Sequence, residues 1–545
     1  MLRVRWLGRV RYQDAHALQK GLFERSGDDH LLLLEHPHVY TLGVRADLGN
    51  VLVPPASVGA ELVKADRGGD VTYHGPGQLV GYPILSLPTR AGLADTPAYV
   101  HALEQSVIDT LADLGLRGAG RLDGYPGVWI DDRKLCAIGV RNVRGRTMHG
   151  FALNVAPDLS YFGHIVPCGI ADKAVTSLAA EGIDVSMRSV VDAFVSRFLD
   201  WWRPATVERQ DVVWRPAPDG SDLSPFSRGA GAGEPVRLFG RLAAAGVEGG
   251  LPIEARKPAF AVGRVQVTDG YRRLKRTMRD LSLVTVCEEA GCPNIFECWA
   301  DGTATFMING ERCTRACGFC LVDTRHPEAP DPGEPQRVAE AVDRMGLTYA
   351  VVTAVARDDL PDGGASGFAA TIAAIRARCP GTGVEVLIPD CKGDPDALAA
   401  IFAARPDVLN HNLETVARLQ RAVRPSASYA RSLAVLARAK AAGLTTKSGV
   451  IVGMGETDDE VDAALADLRG VGIDIVTIGQ YLRPTTHHLP VARWVEPAGF
   501  DRWLAIGGEL GIPHVEASPL TRSSHHARQA HEAAVSLPSA AAPTP

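Results

Sequence analysis

The chain has 545 residues, of which 22% are charged, and a formal net charge of −6. That length predicts more than one domain, and the charge balance leaves no basic footprint for nucleic acid. No apolar run reaches the roughly 18 residues that a membrane span needs, and the opening MLRVRWLGRV lacks the apolar stretch of a secretory signal. A cytoplasmic protein in a reducing compartment is expected.

Residues 1 to 205 read as one unit. HLLLLEH, QLVGYPILSL, GVWID and FALNVAP have the composition of strands. VHALEQSVIDTLADLGL carries Val100, Leu103, Val107, Leu111 and Leu114 at helical spacing on one face. Residues 206–250, with RPAPDGSDLSPFSRGAGAGEP, predict a flexible linker. From 251 to 530 apolar strands alternate with amphipathic helices, which predicts parallel βα units. The strands are TFMING, YAVVTAV, VEVLIPD, DVLNHN, TTKSGVIVG and DIVTIGQ. The helices include QRVAEAVDRMG, GFAATIAAIRARC, SYARSLAVLARAKAAG and TDDEVDAALADLRGVG. Six such units predict a partial TIM-type barrel with its site at the C-terminal ends of the strands. Residues 531–545, ending SLPSAAAPTP, are expected to be disordered.

Six of the ten cysteines fall in two triplets. Cys287, Cys292 and Cys298 read C-x4-C-x5-C; Cys313, Cys317 and Cys320 read C-x3-C-x2-C. Zinc usually takes four ligands in paired C-x2-C units, and a long chain with few cysteines is not a disulfide scaffold. Thiolates so spaced suit iron–sulfur clusters, and three ligands per cluster leave one iron open. The second triplet follows the first predicted strand, at the expected functional face.

A C-x3-C-x2-C loop after the first strand of a βα barrel resembles the radical S-adenosylmethionine superfamily. CEEAGCPNIFECW, ERCTRACGFC, RDDLPDGGA, LNHNLETV, GVIVGMGET and RSSHHA, in that order over residues 251 to 527, resemble lipoyl synthase. The resemblance implies two 4Fe–4S clusters. One, on Cys313, Cys317 and Cys320, binds S-adenosylmethionine, which an electron from a ferredoxin- or flavodoxin-type reductant cleaves to a 5′-deoxyadenosyl radical. The other is auxiliary, held by Cys287, Cys292, Cys298 and Ser524, and gives up two sulfurs to C6 and C8 of an octanoyl chain. Asn410, Asn412, Glu414, Gly449, Gly453 and Glu456 are candidate contacts to S-adenosylmethionine, although glycines there could merely turn the chain. His525 stands where the family usually has tyrosine. Cys379 and Cys391 have no partner at ligand spacing and read as buried thiols.

In the first unit, RGGDVTYHGPGQLVGYP at 67–83 is followed by GVWIDDRKLCAIGV, HGFALNVAPDL and PCG. Together these resemble octanoyltransferase, of the biotin/lipoate ligase-like α+β fold, over about residues 3 to 203. The resemblance implies transfer of octanoyl from acyl carrier protein to a lysine of a lipoyl carrier, such as H-protein or the E2 lipoyl domains of dehydrogenase complexes. Cys168 matches the acyl-enzyme nucleophile, and Lys134 the lysine that lowers its pKa; a free thiol needs such a cation. The acyl pocket is implied near Arg67, Gly68, Gly69, Asp70, Val71, Thr72, Tyr73 and His74, with Ala137, Ile138 and Gly139, and Gly150, Phe151 and Ala152. His74 could handle a proton or simply hold the loop. An ATP-dependent lipoate or biotin ligase is the alternative. Such enzymes use a basic Gly-rich nucleotide loop and no nucleophilic cysteine, and the usual GRRxSGGG pattern is absent. A domain that only docks the carrier is a further alternative, as is a biotin synthase-type second half; the cysteines, Lys134 and the R-S-S sequence argue against both.

Overall fold

The computed structural model describes residues 1–90, 93–169, 172–212, 241–247, 249–253, 256–262, 269–281, 283–285, 294–300 and 303–536. Its contacts divide the chain into two compact units, residues 1–214 and 215–544, the first also taking Pro545.

Among the described residues, the first unit is built on a nine-stranded mixed sheet. Its order is Val207–Asp211, Leu2–Arg9, Asp29–Glu35, Gln78–Ile84, Arg146–Asn154, Arg133–Val143, Tyr125–Ile130 and Gly120–Leu122, with Ala174–Val175 paired beside Arg133–Val143. Period-two alternation sends Leu31 and Leu33 to one face. There they join a core with Leu103, Val107 and Leu111 of helix Thr96–Asp113 and Phe194 and Phe198 of helix Met187–Trp202. Asp95 starts the first of these helices by accepting from Ala98 N, and Ser186 starts the second by accepting from Ser189 N. A small sheet of Glu61–Lys64, Val39–Leu42 and Val71–His74 stands beside the main one.

Val207–Asp211 corrects the expected linker. It is a parallel edge strand on Leu2–Arg9, tied by Arg3 and Arg5 to Glu208. The far end of that linker is also folded. Residues 241–247 and 249–250 belong to the second unit, where Ala245 O accepts from Arg418, and Leu251 N donates to Val491 O at 2.7 Å. Residues 213–240 lie outside the described set.

In the second unit the six expected strands are Thr303–Ile308, Tyr349–Ala354, Gly383–Leu387, Val408–Asn410, Thr445–Val452 and Ile475–Gln480, all parallel and in sequence order. His514–Ser518 adds a seventh parallel strand, and Val284–Thr285 an antiparallel one at the other edge. Helices Glu334–Met345, Ala365–Arg378, Pro395–Ala403, Tyr429–Ala441, Asp458–Gly470 and Pro497–Glu509 follow the strands in turn. Thr457 and Glu460 form a reciprocal capping box at the start of Asp458–Gly470. The result is a partial barrel, as its sequence pattern predicts.

The expected disordered tail needs correction up to residue 536. Ala527–Ser536 is a helix whose Ala527 packs with Tyr349 and Val351, and whose Ala530 packs with Val408 and Ile475. Among the described residues no helix is long and apolar enough to cross a membrane.

Candidate functional site

In the first unit, the three segments expected to wall an acyl pocket lie side by side. Ala137, Ile138 and Gly139 pair across the sheet with Ala152, Phe151 and Gly150. Gly68 N donates to Val140 O at 3.2 Å, laying the Arg67–Gly69 loop against the same strand. That approach favours glycine: a Cβ on Gly139 would lie 3.2 Å from Gly68 O, a tight contact. Arg67 turns back on its own scaffold and donates to Thr41 O at 2.6 Å, Thr41 Oγ1 and Gly68 O. Val71, Thr72, Tyr73 and His74 form a fully buried strand. The Tyr73 hydroxyl bonds His38 Nδ1 at 2.8 Å. His74 bonds Gln78 Oε1 at 2.8 Å and Thr41 Oγ1 at 3.3 Å. Burial, reinforced by His36 and Arg67, keeps its imidazole well below the usual pKa and hence neutral.

Cys168 lies in the turn Pro167–Gly169. Asp70 anchors that region, accepting from Asn50 Nδ2 at 2.6 Å and Val71 N at 2.6 Å. Val166 N in turn donates to Asn50 O at 2.8 Å. Gly169 adopts φ +69°, and a Cβ there would meet Asp70 Oδ2 at 2.8 Å. Farther along the chain, Ala174–Val175 runs parallel to Arg133 and Lys134 in register. Lys134 is buried, with its ammonium 4.7 Å from the centroid of the Trp129 ring. Cys136 is fully buried, and burial pushes its thiol far up, as for a small apolar core residue. Asn50 and Thr41 were not among the expected site residues; a single polar residue, in a turn or in a short buried strand, carries no periodic signal.

In the second unit, a cavity of about 600 Å³ opens at the C-terminal ends of the strands. Cys313, Cys317 and Cys320 line it, on the loop after Thr303–Ile308. Burial raises all three thiols, Cys317 to about 11. Such thiols give up their protons to a metal rather than to water. The loop is held from below by Arg315, between the first two cysteines, which donates to Asp358 at 2.7 Å and to fully buried Asp390 at 2.6 Å. Thr314 adds a bond to Asp358 at 3.1 Å. This ion-pair triad was missed by motif reading, because a charge between two cysteines has no periodicity to betray it.

Asn410, Asn412, Glu414 and Gly449 line the same cavity. Asn412 Nδ2 donates to Glu414 at 3.0 Å and to Ser523 Oγ at 2.7 Å. Glu414 is half-buried at the cavity wall, and the surrounding protein raises its carboxyl, while Arg424 opposes the shift. The amide oxygens of Asn410 and Asn412 are buried with no hydrogen-bond partner among the described residues. A Cβ on Gly449 would come within 2.9 Å of Asn412 Oδ1 and of Thr477 Oγ1. Three thiols, two orphan acceptors and a glycine-lined wall fit an iron–sulfur cluster with a polar organic ligand at its open iron. Gly453 and Glu456 do not share this lining. Glu456 turns back to accept from Gly453 N and from Met454 N at 3.0 Å, closing its own turn.

Arg522, Ser523 and Ser524 also face the cavity. Cys287 and Cys292 lie outside the described residues. Cys298 sits on the helix Ile295–Ala300, which is tied to the R-S-S loop at two points. Asn294 Nδ2 donates to Leu520 O at 2.6 Å, and Glu297 lies 3.5 Å from His525. His525 is also 2.9 Å from Glu516. Burial alone would lower this imidazole's pKa; Glu516 and Glu297 outweigh it and raise it. The histidine in the tyrosine position is thus held between two carboxylates.

Two family models match the chain: the lipoyl protein ligase A/B catalytic domain over residues 11–199 and the radical SAM superfamily over 307–468. Lipoyl synthase of Rubrobacter xylanophilus is 58% identical over 278 residues, 51% of this chain and 87% of the relative. Lipoyl synthase of Mycobacterium avium is 56% identical over 276 residues, 51% of this chain and 90% of the relative. Among solved structures, a bi-partite lipoate protein ligase from Thermoplasma acidophilum is 18% identical with a TM-score of 0.32, covering 38% of this chain and 85% of its own.

Proposed function

The chain belongs, through its second unit, to the lipoyl synthase family, and from that premise we propose that the whole protein makes a protein-bound lipoyl group in two stages. The first unit moves octanoyl from acyl carrier protein to a carrier lysine, on H-protein or an E2 lipoyl domain. The second unit then places sulfur at C6 and C8 of that chain. What supports the first stage is that the strand of Lys134 pairs with Ala174–Val175 on one side and sets Ala137–Gly139 against Gly150–Ala152 on the other.

In this reading the Cys168 thiolate attacks the octanoyl thioester. A new S–C bond forms, and the carrier thiol leaves with a proton. The neutral lysine amine of the second carrier then attacks the acyl-cysteine, the S–C bond breaks to free the thiolate, and the proton lost by the amine passes to water, balancing the one the first carrier's thiol took from it. Lys134 supplies the positive charge that favours the thiolate over the thiol. His74, buried and neutral, keeps the loop in place.

In the second unit Cys313, Cys317 and Cys320 hold one 4Fe–4S cluster, with S-adenosylmethionine against Asn410, Asn412, Glu414 and Gly449. Cys298, Cys287, Cys292 and Ser524 hold the auxiliary cluster. When bound, these groups supply one-electron cleavage of a sulfonium and a store of sulfide, driven by a ferredoxin- or flavodoxin-type reductant. The chain's own residues do the positioning. Arg315, Asp358 and Asp390 fix the cysteine loop, and Asn412 joins the cavity wall to Ser523. Asn294 and Glu297 hold the Cys298 helix to the serine loop. The walls of the cavity keep water from the reacting carbon.

The test is the intact mass of a carrier protein over time. Chain reconstituted anaerobically with iron and sulfide is given octanoyl-acyl carrier protein, apo-H-protein, S-adenosylmethionine and dithionite. Octanoyl-carrier first and lipoyl-carrier later is the expected order. Acylation only on addition of free acid and ATP would overturn the transferase in favour of a ligase. Octanoyl-carrier that never gains sulfur would overturn the second stage.

A further inference from the structure

Three donors in the first unit have no part in the acyl chemistry. Asp66 immediately precedes Arg67, and His149 immediately precedes Gly150. His16 lies on helix Tyr12–Arg25. Asp66 Oδ1 is 2.9 Å from His16 Nε2 and 2.7 Å from His149 Nε2. The two imidazoles are near parallel, with centroids 5.6 Å apart and 16° between planes. The three donor atoms lie within 4.8 Å of one another. The other carboxylate oxygen of Asp66 is taken by Arg141, which leaves Oδ1 facing the imidazoles.

Both imidazole Nε2 atoms face the one carboxylate oxygen, so a cation that displaces the protons shared there meets all three donors at once. His149 is only 1% exposed, whereas the side chains of His16 and Asp66 are 28% and 34% exposed, so one side is open to water. Two imidazoles, one carboxylate and an open position match a borderline cation rather than calcium or magnesium, which prefer all-oxygen shells. Metal–ligand bonds of about 2.0–2.2 Å place tetrahedral donors roughly 3.3–3.5 Å apart. The donors need to open by about half an ångström, and His16, on a partly exposed helix, can move that far.

We propose that His16, Asp66 and His149 form a binding site for a divalent transition metal, zinc being the cation its donors fit. The site joins three elements: the first helix, which already accepts from His149 N through Gln19, the loop that begins at Arg67 and the strand that carries Gly150–Ala152. An occupied site therefore fixes two walls of the pocket to each other. The binding itself does not depend on the pocket's activity.

The test uses the full chain with its iron–sulfur clusters reconstituted and Cys168 alkylated, so that the cluster and acyl-site thiolates are already occupied. Wild type and His16→Gln are dialysed against micromolar zinc under argon, and metals are counted. Wild type is expected to hold one zinc more per chain than H16Q. Its zinc X-ray absorption should show only nitrogen and oxygen neighbours at about 2.0–2.2 Å. Asp66→Asn is expected to weaken binding at least tenfold. Equal zinc in wild type and H16Q would overturn the proposal. So would a zinc environment containing sulfur, or no zinc retained by wild type. The wild-type spectrum decides the matter even if a variant folds poorly. Octanoyl transfer measured alongside on unalkylated chain keeps the outcome separate from the proposed function, since either can fail alone.

Discussion

In the first unit the polar groups around the expected pocket answer one another: Arg67 to Thr41, His74 to Gln78, Asp70 to Asn50. In the second unit the groups around the cavity are left facing inward, with the oxygens of Asn410 and Asn412 unsatisfied and three thiols converging on open space. The first arrangement suits a reaction run by one cysteine on a rigid scaffold, whose substrate is a flexible apolar chain needing shape more than hydrogen bonds. The second suits a site whose reactive parts are not amino acids, so that the protein must leave partners for them.

The sharpest way to break this comparison is to remove one sulfur from each unit. Cys168→Ala should cut octanoyl transfer on the order of 10⁶-fold, as loss of a covalent nucleophile does, and leave sulfur insertion into pre-octanoylated carrier unchanged. Cys317→Ala should do the reverse. Intact carrier mass reads both, and cross-inhibition would refute the separate assignment of the two steps.

A smaller effect is expected from Arg315→Leu. It leaves fully buried Asp390 with Arg431, at 3.7 Å, as its remaining ion-pair partner. Removing one member of a buried pair costs about 3–5 kcal/mol. The second unit should unfold at markedly lower urea and take up less iron, while octanoyl transfer is retained.

Acid should separate the units further. His30, His36, His74 and His149 in the first unit are all held below their usual pKa by burial, His36 at about 4. The unfolded chain binds protons that the fold refuses, so stability is full above about pH 6.5 and falls as pH drops toward about 4. His36 alone contributes about 3 kcal/mol across that window. In the second unit His411, at about 4, the buried His488 and the half-buried His514 behave the same way, but His525 is shifted upward and offsets part of this. Hydrogen exchange of Asp29–Glu35 should therefore accelerate more between about pH 7 and 5 than that of Thr445–Val452, after correction for intrinsic rates. Equal changes would count against the buried histidines.

The smallest effect belongs to Asn412→Ala. Its bond to Ser523 should contribute about 1 kcal/mol. Loss should loosen the R-S-S loop, read as faster exchange at residues 519–525, with little change elsewhere in the barrel.

Much of this architecture was legible from periodicity. The five amphipathic helices and the six parallel strands were read from apolar spacing, because each has one buried stripe or a wholly buried run. What escaped was structure without such a signature. VERQD at 207–211 has one apolar residue and is a strand because Glu208 meets Arg3 and Arg5 across the sheet. HVEAS at 514–518 is half-buried and extends the open sheet at its edge by position rather than by hydrophobicity. In the sites, the cysteine triplet was read by chemistry and the Asn410–Glu414 segment by family resemblance, and they share one cavity. Glu456 was read as a ligand contact from its motif, yet its carboxylate serves the backbone of its own turn. A motif names the residue type, and only the backbone path decides which way it faces.

The helix Ala527–Ser536 bears on how Ser524 can behave. The serine lies on a short loop with a sheet strand at one end and a docked helix at the other. A loop pinned at both ends can release what it holds without drifting away. If Ser524 does bind the auxiliary cluster, it can let go during sulfur transfer and still be the nearest ligand when a new cluster is assembled. Shortening the chain before residue 527 would free one end. The predicted symptom is a protein that turns over once as well as before but recovers slowly for a second round.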